Sequence, residues 1–479
     1  MIGFLCSTVV AAAPIDIGSR LELMIDEHLI ESMSGVSLKL HKPTPREVAI
    51  VFDAPWEGNM SGYHTVFQDG DRYRMYYKAE QLMLRPGELT STHPLFTCYA
   101  ESKDGIRWVK PRLGIHEFDG SKDNNIIHVG PAAHAFSPFK DSNPNCVPEA
   151  KYKAIACGKD RKLFAFQSPD GIHWSPLQDK PIMTQGEFDT LNAVFWDTTR
   201  GHYRAYLRDF PEGFRAIRTA TSEDFVHWTE PVPLVYNDTP REQLYTPGIL
   251  PYFRAPHIFI GLPARYIDRG WSASMEALPQ PRHRHLRAGI NPRYGTALTD
   301  ALFMSSRDGR TFKRWKEAFI RPGPASKDNW TYGDNYPSWG ILETRSDIPN
   351  APNELSLYVS EAYWTGSSCR LRRFTIRTDG FVSATASSRG GSLTTKPLVY
   401  QGSQLVINFS TSAAGTIRIV VLDEKGGPLP GYDSGEIFGD SVARTVKWSN
   451  KKDCSALAGK PIRLKIFLHD ADLFSFWFQ

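Results

Sequence analysis

The sequence lacks most of the features that would announce a chemistry. It has 6 cysteines in 479 residues, at positions 6, 98, 146, 157, 369 and 454. None stands at the short spacing of a zinc pair or a dithiol centre, so no metal site is expected. The five beyond Cys6 are expected mostly as buried small residues, with at most one disulfide. Past the N-terminus no segment approaches the 18 or so apolar residues of a membrane-spanning helix, so no membrane partner is expected. Charge of one sign is also missing. The net charge is +4, and no Lys/Arg run makes a basic arm, which argues against nucleic acid as a partner. The densest positive stretch, Arg282 to Arg287, reads as a solvated loop. There is no Walker loop, no dinucleotide fingerprint and no H-E-x-x-H, so no cofactor is expected. No long amphipathic helical pattern is present either.

What is there is a short repeat. Ser102, Asp104, Gly105 and Trp108 form the first copy; Ser168, Asp170, Gly171 and Trp174 the second. Ser222, Asp224 and Trp228 follow, with Phe225 in the glycine position, then Ser306, Asp308, Gly309 and Phe312. Thr378, Asp379, Gly380 and Phe381 make a degenerate fifth. The first four copies lie 66, 54 and 84 residues apart. A period in this range, built from short strands, signals a propeller or array. Asp and Gly suit a tight turn, Ser and Asp side chains bond back to the main chain, and the aromatic enters the next strand. The motif is therefore structural.

Each copy follows two strand-like runs. Tyr63 to Phe67 and Tyr73 to Tyr77 flank the turn Asp69-Gly70-Asp71, and alternate as strands should. The same arrangement recurs at 134–139 with 152–157, 192–196 with 203–207, 248–253 with 257–262, and 338–342 with 355–359. The expected fold is all-β: a five-bladed β-propeller over residues 14–396 and a C-terminal β-sandwich over 400–479. The sandwich strands are expected at 405–409, 416–421, 444–448, 462–467 and 473–478, the last buried. The apolar N-terminus, ending in Ala11, Ala12 and Ala13, resembles a signal peptide over 1–13 without its usual Lys/Arg start. It implies a secreted or periplasmic protein. Aromatics reach 12%, with 12 Trp and 19 Tyr. Most are expected between sheets, and several against a sugar, whose flat faces stack on rings.

The turn motif, the strand pairs and the sandwich together resemble the superfamily of glycoside hydrolase families 32 and 43, five-bladed propellers followed by a sandwich. The segments from Phe67 to Tyr77 and from Asn192 to Asp197 are similar to its blades, particularly to uncharacterised members of the family 32 N-terminal-like group. The resemblance implies hydrolysis of a glycosidic bond by acids at the inner ends of the blade strands. The sequence departs from the family pattern at the first inner strand, where Gly62, Tyr63, His64 and Thr65 stand with no carboxylate.

Strand alternation narrows the site. Residues before the first strands and after the second strands share one face of such a disc. The turn residues Asp69, Asp71, Asp141 and Asp197 fall on the other and read as turn-formers. The functional face collects Glu57, His64, His134, Asp189, Glu242, Tyr245, Asp334, Glu80, Arg208, Asp209, Arg265 and Glu361. Glycosidic cleavage needs two carboxyl groups across the bond, one protonated and one ionised. Glu57, Asp189 and Glu361 are the candidate catalytic acids. His64, Arg208, Tyr245, Arg265 and Asp334 are the candidate substrate-binding residues, the arginines suited to hydroxyls, a carboxylate or a sulfate. For each, a bland role stands beside the functional one: a cap, an ion pair, a packed histidine. The expected function is a secreted glycoside hydrolase acting on an oligo- or polysaccharide. The alternatives are a carbohydrate-binding propeller without catalysis and a sialidase-like enzyme, for which no arginine triad can be placed.

Overall fold

A computed structural model describes residues 13–158, 160–237 and 239–479. The expected signal segment, 1–13, lies outside them save for Ala13. The chain divides into two units: residues 13–41 with Asp379–Gln479, and Lys42–Thr378. Both are built of strands, and the protein is all-β.

Among the described residues of the 42–378 unit, five sheets of four or five strands follow one another along the chain, beside one three-stranded and one two-stranded sheet. The first is the meander Gly62–Asp69, Arg72–Ala79, Phe96–Ser102 and Ile126–Val129. The second is Ser137–Lys140, Tyr152–Cys157, Leu163–Ser168 and Ser175–Pro176; the third is Ala193–Asp197, His202–Asp209, Ala216–Ser222 and Val232–Pro233. The fourth holds Ile249–Tyr252, Ala255–Gly261, Met304–Ser306 and Thr311–Arg314, with Val235–Tyr236 parallel on its outer edge. The fifth is Leu342–Thr344, Glu354–Glu361, Arg370–Arg377 and, as its outer strand, Thr44–Val51 from the other end of the unit. Pairing the first strand of the unit with its last sheet ties the two ends together.

The repeated turn motif accounts for how sheets are joined. In each of the four copies the Ser hydroxyl accepts the N–H three residues on, and the Asp carboxylate accepts the next two N–H groups; at Asp104 these are Ile106 and Arg107, both at 2.8 Å. The turn then offers a carbonyl to a neighbouring sheet. Tyr76 donates to Gly171 O at 3.0 Å, Tyr206 to Gly309 O at 2.9 Å, and Tyr358 of the fifth sheet to Gly105 O of the first. Glycine is required at 171: its φ is +80°, and a Cβ there would meet the Tyr76 hydroxyl at 2.7 Å. The degenerate fifth copy lies at the boundary between the units. Asp379 belongs to the other unit, where Ser475 donates to its carboxylate at 3.0 Å.

The turn aspartates do more than shape turns. Asp69 accepts from Arg74 of its own sheet at 2.6 Å and from Tyr152 of the second sheet at 2.7 Å. Asp141 repeats the pattern with Lys153 and, at 2.7 Å, Tyr203 of the third sheet. Carboxylates on first strands thus clamp successive sheets.

Three expectations change. Residues 14–41 and 379–396 do not belong with the sheets above: strands Ile15–Gly18, Ile30–Ser34 and Val36–Leu40 pair with Leu398–Tyr400, Gly391–Thr395 and Val382–Ala386. Ile17, Met24, Leu29 and Ile30 are buried in the same core as Phe476 and Phe478, so apolar burial assigns them to the C-terminal unit. The runs 405–409 and 416–421 are parts of one strand, Leu405–Asp423, and 462–467 and 473–478 parts of another, Ile462–Phe478, paired along their length across a register shift between Thr411 and Thr416. Finally, Arg282 to Arg287 is no solvated loop. It lies in the helix Pro281–Ala288, which follows Ala273–Glu276 and precedes Pro292–Thr296. Proline at the first helical position of Pro281–Ala288 and Pro292–Thr296 starts each without wasting an N–H. Arg284 and Arg287 are buried beneath it.

Candidate active site at the starts of the first strands

The starts of the five first strands meet. The Tyr63 ring packs edge-on to His134 at 5.5 Å; Thr190 Oγ1 donates to Tyr245 O at 3.3 Å; the Tyr245 and Tyr336 rings lie 5.3 Å apart; and Trp339 N donates to His64 O at 2.8 Å. Backbone strain concentrates here. Tyr63, Asn335, Ala362 and Trp364 all have φ between +52° and +63°, conformations that non-glycine residues hold only where the surroundings over-determine them. At Tyr63 the strand also slips register between Gly62 and Thr65, which turns the ring out of the pleat.

Around this point lies a buried tyrosine cluster, Tyr245, Tyr266, Tyr332, Tyr336 and Tyr363, with arginines pressed on its rings. Arg215 lies 4.8 Å over Tyr245 and 4.4 Å over Tyr266, and Arg293 lies 5.3 Å over Tyr332. The Tyr245 and Tyr332 hydroxyls are 2.7 Å apart. Burial pushes both up, but the bond from Tyr332 and the charges of Arg215, Arg208 and Arg293 bring Tyr245 below its ordinary value, while Tyr332 stays well above.

Two carboxyls in this region are driven in opposite directions. Asp334 is 2% exposed and, among the described residues, its carboxyl takes bonds only from neutral donors, Thr331 Oγ1 at 2.7 Å and Tyr363 N at 2.9 Å. Burial, with Glu361 adding repulsion, pushes it up to about 7 against the pull of Arg287. Glu80 is also buried, yet Lys78 at 3.0 Å and Ser91 at 2.6 Å overcome that desolvation and hold it below the ordinary range. Lys78 in turn sits 5.5 Å over the Tyr63 ring. His134, beside Lys78, is pushed down to about 3 chiefly by burial and is neutral at physiological pH. A cavity of about 20 Å³ between Tyr63, His64, Lys78, Tyr336, Ser360 and Tyr363 marks the centre.

No family model matches the chain, and no curated protein does. Among solved structures, an N-acetylgalactosamine deacetylase from F. plautii, in complex with blood group B trisaccharide, is 12% identical, with 73% of this chain and 97% of that chain covered at a TM-score of 0.43. The GH62 α-L-arabinofuranosidase catalytic domain of Coprinopsis cinerea is 8% identical, covering 71% and 99% at 0.42. The GH32 β-fructofuranosidase of Bombyx mori is 8% identical, covering 91% and 93% at 0.39. At these values the likeness carries no residue of the site and no chemistry; those come from the side chains.

The residues expected from the sequence fall into two groups. Arg208, Tyr245, Asp334 and His64 lie in this region. Arg208 forms an ion pair with Asp189, donates to Glu187 O at 3.0 Å and lies 5.8 Å over the Tyr245 ring. His64 is stacked on Phe52 at 5.0 Å and pushed down to about 3 by burial, a packed neutral ring. Each of the three acids chosen for catalysis has its own set of partners. Glu57 is buried in the first sheet's flank, accepting from Tyr77 at 2.5 Å, Lys110 at 2.6 Å and Ala54 N at 2.9 Å. Glu361 is held by Arg370 at 2.9 Å and Arg372 at 2.5 Å. Asp189 is the most open of them, its side chain 44% exposed beside Arg208. Arg265 is locked to Asp300 at 2.8 and 2.6 Å and to Glu242 at 2.7 Å, facing a different cavity.

The sequence placed Glu80 on the functional face without choosing it among the acids, and placed Asp334 among the binding residues. Lys78-Ala79-Glu80 closes the second strand of the first sheet, so position marked it. What position alone did not give was that Lys78 and Glu80, two apart on one strand face, pair with each other. Arg215 and Arg293 carried no signal, since tertiary packing alone brings Arg215 onto Tyr245 and Arg293 onto Tyr332.

Proposed function

We propose that the 42–378 unit is a five-bladed β-propeller, that the other unit is a β-sandwich, and that the protein hydrolyses a glycosidic bond of an oligo- or polysaccharide where the first strands begin. One observation carries the reading. Where the first strands begin, burial raises one carboxyl, Asp334, to about 7, while Lys78 and Ser91 hold another, Glu80, below its ordinary range. Oppositely displaced carboxyls are how one site supplies both an acid and a base at one pH. In this reading Asp334 donates the proton to the leaving oxygen, Glu80 supplies the opposing carboxylate, and Arg208 and Tyr245 orient sugar hydroxyls. Asp189, partly open beside Arg208, is the further acid within reach of a substrate.

A second reading, carbohydrate binding without cleavage, is favoured by the 2% exposure of Asp334, because a proton donor must reach its substrate. The test is a panel of oligo- and polysaccharides with product analysis, run on the wild type, Asp334→Asn and Glu80→Gln. Hydrolysis that drops about 10²-fold or more in both variants supports the acid–base pair. Binding without any product supports the second reading. Full turnover in both variants removes these residues from the chemistry.

A further inference from the structure

The antiparallel pair Ala264–Asp268 and Ala297–Ala301 has two faces. Tyr266 and Thr299 stand opposite each other in register and turn toward the tyrosine cluster, where Thr299 Oγ1 donates to Asp334 O at 2.6 Å. The other face, with Arg265 opposite Asp300 and Ile267 opposite Leu298, floors a separate cavity of about 660 Å³. Its walls are the 316–323 loop, carrying Lys316 and Arg321, and Trp330. These walls are braced: Trp330 Nε1 donates to Gly323 O at 2.8 Å, Asn329 Nδ2 to Pro324 O at 2.8 Å, and Arg284 to Trp330 O at 2.6 Å.

The charge in this cavity is unbalanced. Arg265 and Asp300 neutralise each other, with Glu242 behind Arg265. Arg269, Lys316 and Arg321 are exposed and form no ion pair among the described residues, against one lining carboxylate besides Asp300, Glu317. A volume of this size suits a sugar-sized ligand; Trp330 supplies a flat apolar wall, and three cations without partners supply a site for an oxyanion.

We infer that this cavity is a second saccharide site that selects sugars bearing an oxyanion substituent, a carboxylate or a sulfate. It rests on the reading that the protein acts on carbohydrate and adds the class of substrate, with the anionic ring held on one face of the ribbon while the bond to be cut lies on the other.

The test uses the full chain and the triple variant Arg269→Ala, Lys316→Ala, Arg321→Ala, all surface positions outside the proposed catalytic cluster. Binding is measured by calorimetry with neutral, uronate-bearing and sulfated oligosaccharides of equal length, and with inorganic sulfate, at low and high salt. The wild type should prefer the charged sugars, and the uronate and sulfate arms decide which group is read. In the triple variant, affinity for the charged sugars should fall about tenfold or more, neutral sugars should be unaffected, and the salt dependence should shrink. Trp330→Ala should weaken neutral and charged sugars alike. Equal affinity of wild type and triple variant for the charged sugars and for sulfate overturns the site, as does no binding of either. The two readings fail separately. Turnover lost in Asp334→Asn with no anion preference sinks only this site, whereas anion binding that maps to the three cations with no hydrolysis of any sugar sinks only the hydrolase.

Discussion

Replacing Asp334 with asparagine keeps the shape of the side chain: its Oδ1 can still accept from Tyr363 N, and the Thr331 hydroxyl can turn to accept from the new amide. What the change removes is ionisation. The carboxyl moves from an ordinary 3.8 to about 7, a displacement of about three pH units, which at 1.36 kcal/mol each comes to about 4 kcal/mol. The sign follows from proton binding. Between about pH 4 and 7 the unfolded chain has released this proton and the folded chain retains it, so the carboxyl's contribution is fully present below pH 4 and is lost as pH rises through 7. Buried histidines act the other way. His64 and His134 near 3, and His128 near 4, stay neutral when folded and take protons when unfolded, so their contribution is lost as pH falls from about 6.5. The wild-type curve alone therefore mixes opposing slopes, and the informative quantity is the difference. Chemical denaturation followed by tryptophan fluorescence, on wild type and Asp334→Asn from pH 4 to 8.5, should give a stability difference that moves by about 4 kcal/mol in favour of the variant. A flat difference would refute the claim that this carboxyl is buried unpaired. In the hydrolase reading the same group sets the alkaline limb of the pH–rate profile, with turnover falling above about pH 7.

Glu57→Gln should cost stability rather than turnover: it strips charge from a buried carboxylate bonded to Lys110 and Tyr77, and a melting temperature lowered by an effect of about 2 kcal/mol or more, with sugar binding intact, is the expected outcome. Gly171→Ala should destabilise by about 1–3 kcal/mol through its left-handed backbone and its collision with Tyr76, measurably more than Gly70→Ala, where φ is +65° but nothing lies within 4 Å. Tyr358→Phe removes the bond from the fifth sheet to the first and should lower stability by about 1 kcal/mol in denaturant titration. Deleting residues 401–479 removes the core around Ile17, Met24, Leu29 and Ile30 and should produce aggregation, seen by light scattering. Deleting residues 1–41 and 379–479 together should leave a 42–378 chain that remains soluble.

The sequence by itself determined the local structure. Alternating runs around Asp-Gly turns specify hairpins because a tight turn admits few residues and a pleated strand shows one face at a time. The Ser-x-Asp-Gly motif was legible as a turn for the same local reason, and Asp334 and Glu80 could be placed near strand ends by counting. Local rules did not mark the helix Pro281–Ala288, whose buried arginines break the apolar stripe that pattern reading looks for. Nor could they decide that residues 13–41 leave the adjacent sheets for the far end of the chain, because that choice is made by apolar contacts with residues more than 350 positions away. The site depended most on the tertiary structure. A carboxylate in the sequence is a charge of unknown fate. Only packing gave Glu57 a lysine, Glu361 two arginines, and Asp334 the neutral donors Thr331 and Tyr363, and the energy of a buried charge is set by which partners reach it.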